Sequence, residues 1–301
     1  MANVKVNPAE KVASQAGFRT ISGSRRAGTI FKLIVVTLAS LLAIYPMIYV
    51  VSASFSATNS LSELVPSQPT TANYEKLVND QQYPFMLWLF NSVKVSGIST
   101  IITLALCAMA AYSFSRLRFR GRRAGLLLIL LIQLFPNLLA LVSIYLLIQQ
   151  IGDIIPWLGL NTHAGLIMVY CGGALGFNTW LMKGFFDTVP KEIDESATVD
   201  GASKTQIFTL ILLPLVRPIL AVITILSFIG TYSDFLLAKV LLSSKENYTL
   251  AVGLTLLNDV RTTNWGQFSA AALVGALPIV IMFLLLQKQL VGGLTSGSVK
   301  G

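Results

Sequence analysis

Charge is scarce in this chain. Asp, Glu, Lys and Arg make up 12% of its 301 residues, against 54% hydrophobic residues and a mean hydropathy of +0.71. That leaves too little polar surface to cover a soluble globule of this length, so the composition excludes a water-soluble fold and points to a bilayer. Cysteine is limited to Cys107 and Cys171, each inside an apolar run where an unpaired thiol behaves as a small hydrophobe, so no disulfide is expected. His163 stands alone, with no Cys, Asp or Glu at ligand spacing, and reads as a surface residue and not a metal ligand. The chain also lacks a G-x-x-x-x-G-K-[ST] run, a Gly-x-Ser-x-Gly elbow, a His-x-x-x-His pair and paired aspartates in its apolar runs. Nucleotide hydrolysis and intramembrane hydrolysis by this chain are thereby excluded; no catalytic residue, metal or cofactor is expected.

What is present is apolar length. Six windows, at 31–53, 93–114, 124–148, 164–186, 207–229 and 268–290, are long enough to span a bilayer. Backbone polar groups in lipid must be satisfied within each segment, so the expected fold is an all-α integral membrane protein with six transmembrane helices. The net charge of +9 distributes unevenly about those windows. With an even number of spans the termini share a side, and that side carries 17 of the 22 Lys and Arg residues against five on the other. This is the positive-inside pattern, which puts both termini in the cytoplasm and makes the basic excess a topology signal and not a nucleic-acid footprint.

The expected organisation follows. Residues 1–30 form a cytoplasmic basic arm, 31–53 the first span and 54–91 an external loop, with turns at Ser60 to Glu63 and Pro66 to Thr71 and a short helix from Tyr74 to Asn79. Residues 92–291 carry five further spans, with a polar loop at about 188–206, and 292–301 are a glycine-rich tail that composition alone would call disordered. Ser115 to Arg123, with five arginines, reads as a tight cytoplasmic turn serving either as a topology anchor or as a contact for anionic lipid or a partner. Gln133, Pro136 and Asn137 lie together inside the third window, facing the bundle interior, a pathway or a packed neighbour. Gly172 and Gly176, four apart, suit close helix approach. The loop after the fifth span is apolar from Tyr248 to Leu257, enough to re-enter the membrane or lie at its interface. No internal repeat is visible, and Arg217 and Asp234 fall near span ends, which argues against a stand-alone secondary transporter or channel.

The segment between the fourth and fifth windows has its own grammar. Pro190 suits a helix start, Glu192, Asp194 and Glu195 suit the positive end of its dipole, and Gly201 suits the left-handed position that ends it. A helix of about 11 residues would be marginal in water and needs something to pack on. Ile193, Ser196 and Ala197 make a narrow face able to seat in a partner's groove. Ser203-Lys204-Thr205-Gln206 is a capping box that opens a second helix, which Pro214 and Pro218 should bend. By physics alone the first helix is either an interfacial helix without a partner or a docking element.

Glu195-Ser196-Ala197, then Gly201, Ile211, Leu213 and Pro214 resembles the signature loop of binding-protein-dependent ABC importer permeases, with Ser196 in place of a consensus alanine. Trp88 to Val95, Tyr112 to Phe119, Gly159 to His163, Tyr248 to Gly253 and the ending from Gly293 to Gly301 resemble the maltose/maltodextrin subunits of the MalG type. The resemblance implies the type I ABC importer permease fold in a prokaryotic cytoplasmic membrane. It implies that Glu195, Ser196, Ala197, Asp200, Gly201, Ile211, Leu213 and Pro214 couple to a cytoplasmic ATPase dimer. It also implies a second, MalF-type permease and an extracytoplasmic sugar-binding protein, contacted at Leu256, Asn258, Arg261 and Trp265, with the tail reaching between the ATPase subunits. Gln133, Asn137, Asn178 and Trp180 are candidate sugar contacts, none assigned, and permeases for another oligosaccharide remain the alternative.

Overall fold

A computed structural model describes residues 23–58, 64–134, 136–257 and 264–296. The basic arm up to residue 22, the turn at 60–63, and Asn258 and Arg261 lie outside the described residues. The chain divides into two units, Met1–Val50 and Val51–Gly301, treated separately.

The first unit is described from Gly23, where helix α1 (Gly23–Ser54) begins; its stretch Gly28–Ser54 has a mean hydropathy of 2.3. Pro46 lies inside this helix without ending it. An intramembrane helix tolerates the missing N–H because local side chains and small backbone adjustments satisfy the freed carbonyl. Tyr45 and Tyr49, one turn apart, share a hydroxyl contact of 3.1 Å.

The second unit is helical among its described residues apart from an isolated bridge between Ser56 and Pro69. Its elements are α2 (Ala72–Asn79), α3 (Phe85–Arg116), α4 (Arg122–Ile132), α5 (Asn137–Ile154), α6 (His163–Thr188), α7 (Lys191–Val199), α8 (Lys204–Leu215), α9 (Arg217–Tyr232), α10 (Leu236–Leu241), α11 (Leu250–Leu257) and α12 (Trp265–Ser296). Helix α3 is the hub, packed mainly on α6 and α9. The reason is a stripe of small side chains at three- and four-residue spacing: Ser92, Ser96, Ser99, Thr103, Cys107, Ala111 and Ser115 are all buried. In lipid, where apolar area gives no drive for helices to meet, small residues permit the close backbone approach that dispersion needs.

Two windows depart from simple spans. The third, expected to run unbroken over 124–148, breaks between α4 and α5. Pro136 cannot donate to Ile132 and its ring crowds that carbonyl, so α4 closes with the short-range bonds Gln133 N–H to Leu130 O and Leu134 N–H to Leu131 O, both 3.1 Å. Gln133 turns its amide to the Gly173 carbonyl at 3.1 Å. The fifth window bends by 79° between α8 and α9. Pro214 and Pro218 were expected to bend it; the π-helical stretch Ile207–Leu212 was not foreseen. It follows from the missing Pro214 donor, since a wider turn lets the Leu213 N–H reach the Phe208 carbonyl. Four described helices are long and apolar enough to cross a membrane, five if the bent pair is counted as one span.

The far end from α7 is built by the sequence blocks singled out above. Trp88 Nε1 donates to the Lys245 carbonyl at 2.8 Å, Asn91 Nδ2 donates to the Glu246 and Tyr248 carbonyls at 2.8 and 3.0 Å, and the Leu250 N–H donates to Ser92 Oγ at 2.7 Å. Asn161, at φ 57°, accepts the Ser243 and Ser244 N–H groups at 3.0 Å on its side-chain oxygen. His163, expected at the surface, is half-buried with Nε2 2.9 Å from the Asn247 carbonyl. Gly253 lies so close to the Trp88 ring that a Cβ there would sit 2.2 Å from it. Three blocks distant in sequence thus clamp the loop that presents α11, and α11 is packed on α3 with Leu250, Val252 and Gly253 buried.

Candidate functional site

The polar segment between α6 and α8 folds as its residues dictate. Pro190 precedes α7 with extended backbone (φ −55°, ψ 137°), and Glu192 and Asp194 occupy the first turn. Gly201 takes φ 84°, and the chain reverses there with Gly201 N–H on the Thr198 carbonyl at 3.1 Å and Ala202 N–H on the Ala197 carbonyl at 2.9 Å. No atom lies within 4 Å of a Cβ built on Gly201, so conformation and not space demands the glycine. The capping box is complete: Ser203 N–H donates to Gln206 Oε1 at 2.8 Å and Gln206 N–H to Ser203 Oγ at 3.3 Å. The result is one short helix, a left-handed joint and a second helix continuing into a bent span.

The eight signature residues divide by exposure. Glu195, Ser196, Asp200, Gly201 and Pro214 are exposed, Ile211 and Leu213 half-buried, and Ala197 buried. Ala197 joins a core of Cys107, Ala111, Met182, Phe186, Ile207 and Leu212. The expected docking face of Ile193, Ser196 and Ala197 is therefore corrected. Ala197 is small because α7 must lie close to its own chain, and Ile193 is half-buried beside it. The face left open carries Glu192, Glu195, Ser196 and Val199, the last 87% exposed.

Sequence reasoning missed what holds α7 in place. Arg116, the last residue of α3, pairs its Nε with Asp194 Oδ2 at 2.7 Å, the two side chains only 5% and 19% exposed. Its Nη2 also donates to the Val189 carbonyl at 2.7 Å. Beside it Ser115 Oγ donates to Asp187 Oδ1 at 2.6 Å, Lys183 pairs with Asp187, and Arg122 Nη2 donates to the Ser115 carbonyl at 3.1 Å. Helix α7 is thereby tied to the end of α3 by one buried ion pair, while the more exposed Asp187 joins the end of α6 to the end of α3. The available signal was a carboxylate, Asp194, one turn before Ala197 on the same face, opposite an arginine run read as a topology anchor or as a contact for lipid or a partner.

Other expected positions are scattered. Leu256 is half-buried in the last turn of α11, and Trp265 opens α12 with its ring 6.3 Å from Phe268. A cleft of about 940 Å³ lies among α5, α6 and α9, mostly apolar, with Tyr170 donating to Asp234 at 2.9 Å and Asn178 to Ser227 at 3.1 Å. Gly172 and Gly173 line this cleft. Gly172 meets no neighbour within 4 Å, so of the glycine pair only Gly176 serves close approach, its Cβ position 2.9 Å from the Ile129 carbonyl. Trp180 is exposed, and the side chain of Asn137 lies outside the described residues. No group of three or more His, Cys, Asp or Glu side chains able to hold a metal occurs among the described residues.

Residues 102–293 match the family described as binding-protein-dependent transport system inner membrane component. The chain belongs to that family. Its relatives include the maltose/maltodextrin transport system permease protein MalG of Vibrio vulnificus (strain YJ016), 44% identical over 86% of this chain and 91% of that protein. The protein of the same name from Escherichia coli (strain K12) is 42% identical over 85% and 90%. A bacterial ABC transporter involved in import of the acidic polysaccharide alginate has a chain of like fold, with a TM-score of 0.76 and 25% identity over 89% of this chain and 98% of that one. A bacterial alginate ABC transporter bound to its pentasaccharide-loaded periplasmic protein matches in fold at a TM-score of 0.64 and 18% identity. As a permease of this family the protein is a multi-pass inner-membrane component, and the glycine-jointed pair α7–α8 lies within the matched region.

Proposed function

We propose that this permease is the MalG-type subunit of an importer of maltose and maltodextrins, working beside a MalF-type permease, a cytoplasmic ATPase dimer and an extracytoplasmic sugar-binding protein. Identity of 44% across most of both chains to a protein of that name supports the substrate class. The coupling role rests on one observation: a short helix with an open face, hung on a glycine joint and tied by a buried ion pair to the end of the hub helix. Docked on the ATPase through Glu192, Glu195, Ser196 and Val199, α7 passes its displacement to α3 through Arg116 and to α9 through α8, which enters the membrane at a bend and not along one axis. The spans then alternate between openings to the two sides while hydrolysis occurs in the partner.

In this reading α7 and both termini face the cytoplasm, as the basic bias of that side supports. The end carrying α11 faces outward, with Leu256 to Trp265 meeting the binding protein and the last residues, Gly293 to Gly301, approaching the ATPase. The experiment is reconstitution with both permeases, ATPase and binding protein, followed by uptake of radiolabelled maltose competed with a panel of oligosaccharides. ATP-dependent uptake displaced by maltodextrins is expected. Uptake by this chain without ATPase or ATP would overturn the coupling role, and displacement only by unrelated sugars would overturn the substrate.

A further inference from the structure

Five arginines crowd the junction of α3 and α4, and the coupling network uses only part of them. Arg116 is taken by Asp194 and Val189, and Arg122 reaches back to Ser115. Among the described residues Arg118 and Arg123 make neither an ion pair nor a side-chain hydrogen bond. Both nevertheless line one cup of about 800 Å³, with Arg122, Lys183 of α6, Phe119 and Leu126. Asp187, beside the cup, is held by Lys183 and Ser115, which leaves a concentrated positive charge in a concave space. Gathering like charges is unfavourable without an anion to meet them.

The cup opens onto an apolar surface. Phe119 is 46% exposed, and α4 turns Leu127, Leu128 and Leu131 outward, each about 60% exposed, on the side that descends from the cationic rim. Cations at a helix end above an exposed leucine face match a ligand with an anionic head and hydrocarbon tails. We propose that this cup binds the phosphate of an anionic phospholipid, with Arg118 and Arg123 as its cations and the α4 leucines along its acyl chains. Basic pockets among spanning helices take such headgroups by the same chemistry. The site needs only that the chain is embedded in a bilayer, and is independent of the sugar and of the coupling role.

The test uses the full chain purified with its partner subunits in nanodiscs of equal phosphatidylglycerol and phosphatidylcholine, with retained lipid read by native mass spectrometry. The wild type is expected to retain phosphatidylglycerol selectively. Arg118→Gln with Arg123→Gln should lose that enrichment roughly thirtyfold, at about 1 kcal/mol for each of the two cations near the surface. Arg118→Lys with Arg123→Lys should keep most of it, which separates charge from folding. Leu128→Gln with Leu131→Gln should weaken lipid retention, whereas a site for free phosphate would be indifferent to it. Undiminished phosphatidylglycerol in the glutamine variant would overturn the proposal. So would displacement of the lipid by millimolar inorganic phosphate, or loss of the ATPase from the glutamine variant in pure phosphatidylcholine, which would assign the cup to a protein surface.

Discussion

At Gly201 one backbone angle decides whether two helices meet correctly. With φ 84° and open space around the Cα, a side chain is opposed by conformation alone. A left-handed residue other than glycine costs about 1–2 kcal/mol, less for asparagine and more for a β-branched side chain. Gly201→Asn is therefore expected to retain most ATP-driven uptake in proteoliposomes and Gly201→Val to lose most of it; equal uptake by the two variants would remove the joint from the mechanism. Gly253 poses the opposite problem, because there space is missing. Gly253→Ala must push a methyl group into the Trp88 ring, and overpacking of that kind costs about 1–3 kcal/mol. A lowered melting temperature is expected, with faster proteolysis of the loop after α11. Both glycines are visible in the sequence, but only Gly201 declares its reason there, since Trp88 is brought to Gly253 by tertiary packing.

Taken element by element, α7 shows how much a local pattern conceals. Its start, its end and the capping box that follows were legible because caps act between residues three or four apart. Its orientation was not. Ser196 and Ala197 are adjacent and alike in size, and only contact with Cys107, Met182 and Phe186 determines that Ala197 turns inward. The Arg116–Asp194 pair is the element's long-range tie. Removing one partner of a buried pair strands the other, at about 3–5 kcal/mol in fully buried cases and less here because Asp194 keeps some exposure. Arg116→Ala and Asp194→Ala should each lower stability and uncouple ATP hydrolysis from uptake. The double variant should recover part of the stability, because neither charge is left alone, but none of the coupling. Additive stability losses across that double-mutant cycle would show that the pair carries no interaction.

The third expected window is continuous in the sequence and broken in the structure. Gln133 and Pro136 were expected inside one continuous helix, and the helix breaks at them. A proline's effect depends on whether neighbours satisfy the freed groups: α1 continues through Pro46, whereas Gln133 spends its amide on Gly173 of another helix. In the other direction, the glycine-rich tail read as disordered continues as helix α12 to Ser296. Composition underestimates a helix that is propagated from a long apolar segment ahead of it.

For the whole molecule, the testable statement is sidedness. Because Cys107 and Cys171 are buried, single cysteines at Ser203 and at Ser244 report with little background. An impermeant maleimide added to intact cells or right-side-out vesicles should label the Ser244→Cys variant and spare Ser203→Cys until the membrane is opened. The reverse pattern would invert the proposed topology and remove α7 from the ATPase side. The separation is structural as well as electrostatic, since α7 hangs from the C-terminal ends of α3 and α6 while the Asn161 and Trp88 clamps gather at the other ends.

The sequence by itself determined the class of molecule, the apolar windows, their charge asymmetry and the joint at Gly201, because hydropathy, charge placement and capping are sums over near neighbours along the chain. The tertiary structure alone decided which face of α7 is open, that the third window breaks, and that Arg116 meets Asp194 while Arg118 and Arg123 are left to line a cup. Those outcomes depend on side chains tens of residues apart competing for one space and one set of partners, and no local pattern records which of them wins.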